Sequence, residues 1–190
     1  MNVKGPSDGT LVARARRGDA AAFGALVQRH YRACNAVALA ILRRRADAED
    51  ACQDAWVRAL EKLDTCRNPE RFASWMLQIV RNHARNLWAA RRVRAAEPLD
   101  SNAGLAAAVG REDPTRDHER ERLRARLEGA LAEVSEVQRT VLLLHDLDGW
   151  PHRKIATALE ISEVMSRQHL FQARRKLRAM LGDETLQQPE

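Results

Sequence analysis

Arg153-Lys-Ile-Ala-Thr-Ala-Leu-Glu-Ile-Ser-Glu-Val-Met-Ser-Arg-Gln-His-Leu-Phe-Gln-Ala-Arg-Arg-Lys-Leu177 reads as two helices around a turn of about three residues. A short apolar-periodic segment, Arg153 to Leu159, stops at Glu160-Ile161-Ser162, and a longer one runs from Glu163 to about Leu181. Along the second helix, Leu170, Ala173, Leu177, Met180 and Leu181 gather on one side. Arg167, Gln168, Phe171, Gln172, Arg175 and Arg178 lie on the other, with Arg174 and Lys176 at the flanks. One helix fits the major groove of DNA, where Arg and Gln pair with guanine and adenine edges and an exposed Phe presses on thymine methyls. Flanking cations suit phosphate contacts, which position rather than specify. Between Arg167 and Arg178 stand five Lys or Arg and no acid, whereas a merely solvated face mixes signs. The segment predicts a helix-turn-helix that binds duplex DNA.

The helical rhythm continues upstream, and no strand-like alternation competes with it. Glu136 to Asp146 carries Val137, Val141 and Leu144; His118 to Val134 carries Leu123, Leu127 and Leu131. Ala95 to Asp117 breaks the rhythm with Pro98, Gly104, Gly110 and Pro114, the composition of a flexible linker. Before it, helices are expected over Leu11 to Arg17, Ala20 to Leu42, Ala48 to Leu63 and Arg71 to Arg94. Phe23, Leu26, Tyr31, Ala51, Ala55, Phe72, Trp75, Met76, Ile79 and Leu87 are their candidate core. Asn68-Pro69 marks the turn before the last of them. The fold class is all-α: an N-terminal helical bundle (residues 8–95), a linker (96–117) and a C-terminal helix-turn-helix bundle (118–182).

The chain has 190 residues and a net charge of +6, from 32 Lys plus Arg against 26 Asp plus Glu, which favours a polyanionic partner. Cys34, Cys52 and Cys66 are too few and scattered for a zinc knuckle or a redox pair, and they fit a reducing cytoplasm. The first ten residues lack the apolar core of a signal peptide, and no apolar run is long enough to insert in a membrane. A cytoplasmic protein is expected.

Charge is segregated in the N-terminal bundle. Asp47, Asp50, Asp54 and Glu61 share one helix face, with Glu49 and Gln53 on its shoulder. No His, Ser or Gly-rich loop accompanies these carboxylates at a useful spacing, so no metal, cofactor or catalytic residue is expected. Either a solvated face or an acidic docking surface for a basic protein remains. Trp56 fits the docking surface or the core equally. From Arg81 to Arg94 the sign reverses, with five Arg, His83 and no acid. Gln78, Arg81, Arg85, Trp88 and Arg92 fall along one face with Asn82 beside them, a layout for single-stranded DNA, phosphates on Arg and bases against a ring.

Three stretches then resemble one known family. Leu131-Ala-Glu-Val-Ser-Glu-Val-Gln-Arg-Thr-Val-Leu-Leu-Leu-His-Asp-Leu-Asp-Gly-Trp150, with the helix-turn-helix after it, looks like the C-terminal domain of extracytoplasmic-function (ECF) sigma factors of the sigma-70 superfamily. Asp47-Ala-Glu-Asp-Ala-Cys-Gln-Asp-Ala-Trp-Val-Arg58 is similar to the family's polymerase-docking helix, and Phe72-Ala-Ser-Trp-Met-Leu-Gln-Ile-Val-Arg-Asn-His-Ala-Arg-Asn86 to its promoter-melting helix. The resemblance implies that Asp47, Glu49, Asp50, Gln53, Asp54 and Trp56 meet core RNA polymerase. It implies that Thr65, Arg67 and Asn68, in the loop, join Asn82 and Arg85 in capturing a flipped minus-ten base. It further implies that Arg167, Gln168, Phe171 and Gln172 contact the minus-thirty-five element, and that an anti-sigma factor is a partner. The chain departs from the family pattern at Lys154, Glu160, Val164, Gln168, His169 and Gln172, so the promoter sequence does not follow. A stand-alone helix-turn-helix regulator is the main alternative, and a helical adaptor without DNA the next.

Overall fold

The computed structural model describes residues 5–96, 126 and 129–182, and every regular element among them is helical. Nearly all of the expected linker, and the first part of the helix expected from His118, lie outside the described residues.

Helix α1 (Asp8–Ala15) begins before the apolar rhythm does, because Ser7 caps it: its Oγ accepts from the Thr10 N–H at 3.2 Å. Asp19 caps α2 (Ala20–Leu42) in the same way, accepting from the Ala22 N–H at 3.0 Å, with Arg14 only 2.7 Å from the Asp19 carboxylate. The end of α2 is a left-handed residue, Arg43 at φ 63°, whose N–H returns to the Leu39 carbonyl. Helix α3 (Arg45–Glu61) buries Ala48, Ala51, Ala55 and Ala59 completely, and these small side chains let it lie close along its neighbours. Two 3₁₀ turns, Leu63–Thr65 and Pro69–Arg71, then lead into α4 (Phe72–Ala96). Pro69 sits where its missing N–H costs nothing. Leu11, Val12, Leu26, Val37, Phe72, Met76 and Val80 are the enclosed centre of this bundle. Burial of each large side chain contributes about 1.5–3 kcal/mol. Trp75, Ile79 and Leu87, expected in the core, pack only at its edge. All three cysteines are free and buried.

In the C-terminal part, helical residues 129–133 precede α5 (Glu136–Leu142). A capping box starts α5: the Ser135 hydroxyl accepts from the Gln138 N–H, and the Gln138 side chain accepts from the Ser135 N–H. The continuous helix expected to Asp146 instead widens into a π-helical turn, Leu143–Leu147. There the His145 ring stacks on His152 at 4.7 Å. Helices α6 (His152–Leu159) and α7 (Glu163–Leu181) follow, with Glu160 between them at φ 57°. Ser162 caps α7 through the Met165 N–H at 3.1 Å. Ile155, Ala158, Leu170, Ala173, Leu177 and Leu181 close the module's core, while Met180, assigned to the apolar side, is 45% exposed at its margin.

The two helical parts expected from the sequence are both present, and among the described residues they also touch. Helix α5 and the π turn rest on α2, α6 rests on α4, and one apolar core runs through both parts.

Candidate nucleic-acid and protein interfaces

Helix α3 divides its acidic residues between internal pairing and display. Asp50 and Gln53 are exposed, and Asp54 is 64% exposed with the His83 ring nitrogen 3.2 Å away. Asp47 is largely enclosed: Arg91 donates to both its oxygens, at 2.6 Å from Nη2 to Oδ1, and Arg44 lies 3.7 Å away. The hydrogen bond from Arg91 holds the Asp47 carboxyl below the ordinary aspartate range against the effect of burial. Glu49 accepts from Arg45 at 2.8 Å. Trp56 is 6% exposed, edge-on to Phe23 at 5.8 Å and beside Phe72. Its ring belongs to the core, so a direct contact with a partner protein gives way to support of the helix from beneath.

The loop before α4 is built from the other end of the bundle. Arg16, unnoticed in the sequence, donates from Nη2 to the carbonyls of Leu63 at 3.0 Å and Cys66 at 2.7 Å. It thereby holds the segment that carries Thr65, Arg67 and Asn68, all three exposed. On α4 the expected strip separates into two rows. Gln78, Asn82, Arg85 and Arg92 face outward. Arg81 and Trp88 are half-buried, and the Arg43 guanidinium lies over the Trp88 ring at 5.3 Å. The inward turn follows from helical phase: positions 81 and 88 stand beside buried Ala84 and Val80, one step round from the solvent row.

Helix α7 presents Gln168, Phe171, Arg175 and Arg178 to solvent, with Phe171 64% exposed. A shallow groove of about 390 Å³ runs past Arg167, Leu170, Phe171, Arg174, Arg175 and Arg178. Val164, 69% exposed in the first turn, extends the outward row, although the sequence reading did not place it among the candidate contact residues. Other members of the expected set have partners within the protein. Gln172 accepts from the Gln138 amide at 2.7 Å, and Arg174 donates to both oxygens of Asp146 at 3.1 and 2.6 Å. Arg167 lies 2.9 Å from Glu163, and Lys176 donates to the Glu133 carbonyl at 3.0 Å. Burial pushes the Asp146 carboxyl up, but Arg174 and His145 outweigh it and leave it below the ordinary range. Gln172 and Arg174 therefore help fix how α7 sits on its module.

Among the described residues no cluster of His, Cys, Asp or Glu is arranged to hold a metal, and no helix is long and apolar enough to cross a membrane. A helix-turn-helix with a one-sided cationic face, joined to a helical bundle bearing one acidic and one basic helix, defines a DNA-binding protein that also docks on another protein. Comparison with known proteins specifies it further. Residues 26–94 match the family model for sigma-70 region 2, and residues 124–177 that for sigma-70 region 4. RNA polymerase sigma factor CnrH of Cupriavidus metallidurans is 32% identical over 94% of this chain and 96% of its own length. The ECF RNA polymerase sigma-E factor of Escherichia coli is 28% identical over 88% of this chain and 91% of its own. A probable sigma factor of Xanthomonas campestris, RfaY, is 32% identical over 83% of this chain, which spans 40% of that longer protein. A solved structure of CnrH in complex with the cytosolic domain of CnrY superposes with a TM-score of 0.63 at 27% identity, covering 93% of this chain and 97% of that one. The chain belongs to the sigma-70 family of RNA polymerase sigma factors, in its ECF branch, and it directs RNA polymerase to promoters for transcription initiation.

Proposed function

We propose a division of that activity among the surfaces just described. The exposed residues of α3, Asp50, Gln53 and Asp54, dock on core RNA polymerase, with Asp47 and Glu49 orienting the helix and its basic neighbours. Thr65, Arg67 and Asn68, with Gln78, Asn82, Arg85 and Arg92 on α4, take the minus-ten region as it melts. Flipping a base costs a few kcal/mol, which a pocket offsets by hydrogen bonds and stacking, and the loop held by Arg16 is placed to supply them. Gln168, Phe171, Arg175 and Arg178 read the minus-thirty-five duplex, with Arg167 and Lys176 at the phosphates. Residues 8–95 and 118–182 are the two functional modules, joined through 96–117. The protein acts in the cytoplasm, by binding, with no catalytic step of its own. An anti-sigma factor is its negative regulator, as the family resemblance implies and as the pairing of CnrH with CnrY supports.

The observation that carries this reading is the sorting of the exposed candidate residues: acid and amide at Asp50, Gln53 and Asp54 on α3, cation and amide on α4 and α7. Run-off transcription with purified core polymerase, alongside band shifts with and without core, tests it. Charge reversal at Asp50 and Asp54 is expected to abolish assembly with core. Arg175→Ala should leave assembly intact and weaken upstream promoter contact. Tight duplex binding by the chain alone, unaffected by core, would overturn the assignment in favour of a stand-alone regulator.

A further inference from the structure

We infer that His152 is a positioning residue for promoter recognition: its neutral ring seats the first half of α7 through Ser166, and protonation of that ring releases the helix. This role rests on the proposed use of α7 at the minus-thirty-five duplex.

Helix α7 is tied to its module in two halves. In the second half, Gln172 accepts from Gln138, Arg174 donates to Asp146, and Lys176 donates to the Glu133 carbonyl. The first half carries the outward residues Val164, Gln168 and Phe171. Among the described residues, one hydrogen bond joins that half to another helix: Ser166 Oγ lies 2.9 Å from His152 Nδ1. Ser166 is fully enclosed and stands on the opposite side of the helix from Val164, so water does not take the place of His152 there. Anchoring that point sets the depth and rotation at which the outward row is presented.

The anchor depends on the protonation state of the ring. A neutral imidazole accepts the serine proton at Nδ1 while keeping its own proton at Nε2, whereas an imidazolium donates at both nitrogens. Protonation of His152 therefore turns the accepting nitrogen into a donor and deprives an enclosed hydroxyl of its acceptor, a loss that burial makes costly.

The surroundings also oppose a positive charge. His152 is the first residue of α6, at the positive end of that helix's dipole. From the π turn, the His145 ring stacks on it at 4.7 Å and 28°, while Asp146 is committed to His145 and Arg174. From α4, Ser74 meets α6 at the Thr157 carbonyl and brings no charge. Burial first, then His145 and the α7 residues Arg167 and Arg174, hold the His152 ring below the ordinary histidine value near 6.5, against the attraction of Glu163. The seated state thus binds fewer protons than the released one. Its stabilisation is fully present above pH 6.5 and weakens as pH falls from there to the folded value.

The test is fluorescence anisotropy of the full chain from about pH 7.5 down to about pH 5. One duplex carries the minus-thirty-five element of a promoter found by run-off transcription, and the other is unrelated. The ratio of the two affinities is the readout. Acidification adds positive charge and by electrostatics alone tightens binding to both. Release of α7 predicts instead that the ratio falls at least about threefold, since apparent specific affinity scales with the neutral fraction. The midpoint should lie below 6.5 and coincide with titration of the His152 ring resonances in NMR spectra. His152→Asn supplies an acceptor near the position of Nδ1 and does not titrate in this range, so its ratio should hold at the parent's pH 7.5 value throughout. His152→Ala should show the low ratio at every pH. A parent ratio that does not fall, or that follows the titration of a different histidine, overturns the inference. So does an Asn variant that falls with the parent, a comparison that stands even if the Ala variant does not fold. Ser166→Ala removes a hydrogen bond to the neutral ring and should raise the His152 midpoint; an unmoved midpoint overturns the seat. If Gln168→Ala and Phe171→Ala leave the pH 7.5 ratio unchanged while that midpoint does rise, the reading role of α7 falls and the seat stands.

Discussion

Replacing Phe171 by alanine separates the apolar part of promoter recognition from the ionic part. The ring is 64% exposed on α7, so its loss should cost little folding stability. Aromatic side chains have ~150–250 Å² to bury, which leaves roughly 100 Å² of Phe171 available to a partner. At ~25 cal/mol per Å², complete cover would contribute about 2.5 kcal/mol. A single thymine methyl covers less than half of that area, so about 1 kcal/mol, or roughly fivefold in affinity, is expected. No phosphate is involved, and the slope of log affinity against log salt should not change. Arg167→Ala removes an exposed cation assigned to phosphate and should flatten that slope by ~0.9. Fluorescence anisotropy of the full chain with a minus-thirty-five duplex, repeated at several salt concentrations, distinguishes a parallel displacement from a flattened line. An unchanged affinity for Phe171→Ala, or the same change of slope in both variants, would refute the assignment of ring and cation to different parts of the DNA.

On α3, Asp50→Lys should weaken core polymerase binding at least tenfold, an interfacial change of about 1.5 kcal/mol or more. Asp47→Ala should instead cost about 1 kcal/mol of folding stability through Arg91, a figure reduced because that Arg is 40% exposed; titration with core enzyme and chemical unfolding separate the two effects. Glu160→Gly removes a left-handed strain and should stabilise the protein by about 0.5–1 kcal/mol, raising Tm by roughly 2 °C or more. The Asp47 carboxyl is depressed in the folded chain, so its contribution is fully present above the ordinary aspartate value near pH 4 and disappears as pH falls through the folded value. Unfolding followed across pH 2–6 should therefore show a shallower acid loss in Asp47→Asn than in the parent.

Helix periods, turn residues and charge blocks are properties of neighbouring positions, which is why the two-module helical plan, the helix-turn-helix and the signs of α3, α4 and α7 could be read from the chain. Outward rows on α7 followed for the same reason, since Gln168, Phe171 and Arg175 lie opposite Leu170, Ala173 and Leu177. Pairings between distant segments were not legible. Nothing local announces that Gln172 is held by Gln138, that Asp47 is held by Arg91, or that Arg16 reaches the loop near Thr65. Trp56 was ambiguous because a Trp beside a stripe of alanines on a helix suits a core or an interface; contact with Phe23 and Phe72 decides for the core. The π turn at Leu143–Leu147 was read as ordinary helix because its apolar spacing differs little from one. One signal was present and passed over: Ser135 followed three residues later by Gln138 is a capping-box pattern, and it marks the start of α5.

The burial of Cys34, Cys52 and Cys66 gives the N-terminal bundle a silent chemical gauge. Thiol reagents attack the ionised sulfur, and burial holds Cys34 and Cys66 in their protonated form. Alkylation in native buffer should therefore proceed only as fast as the bundle breathes, so its rate reports local opening without denaturant. A cysteine introduced on the surface, by contrast, would take a fluorophore first, leaving the native three unmodified.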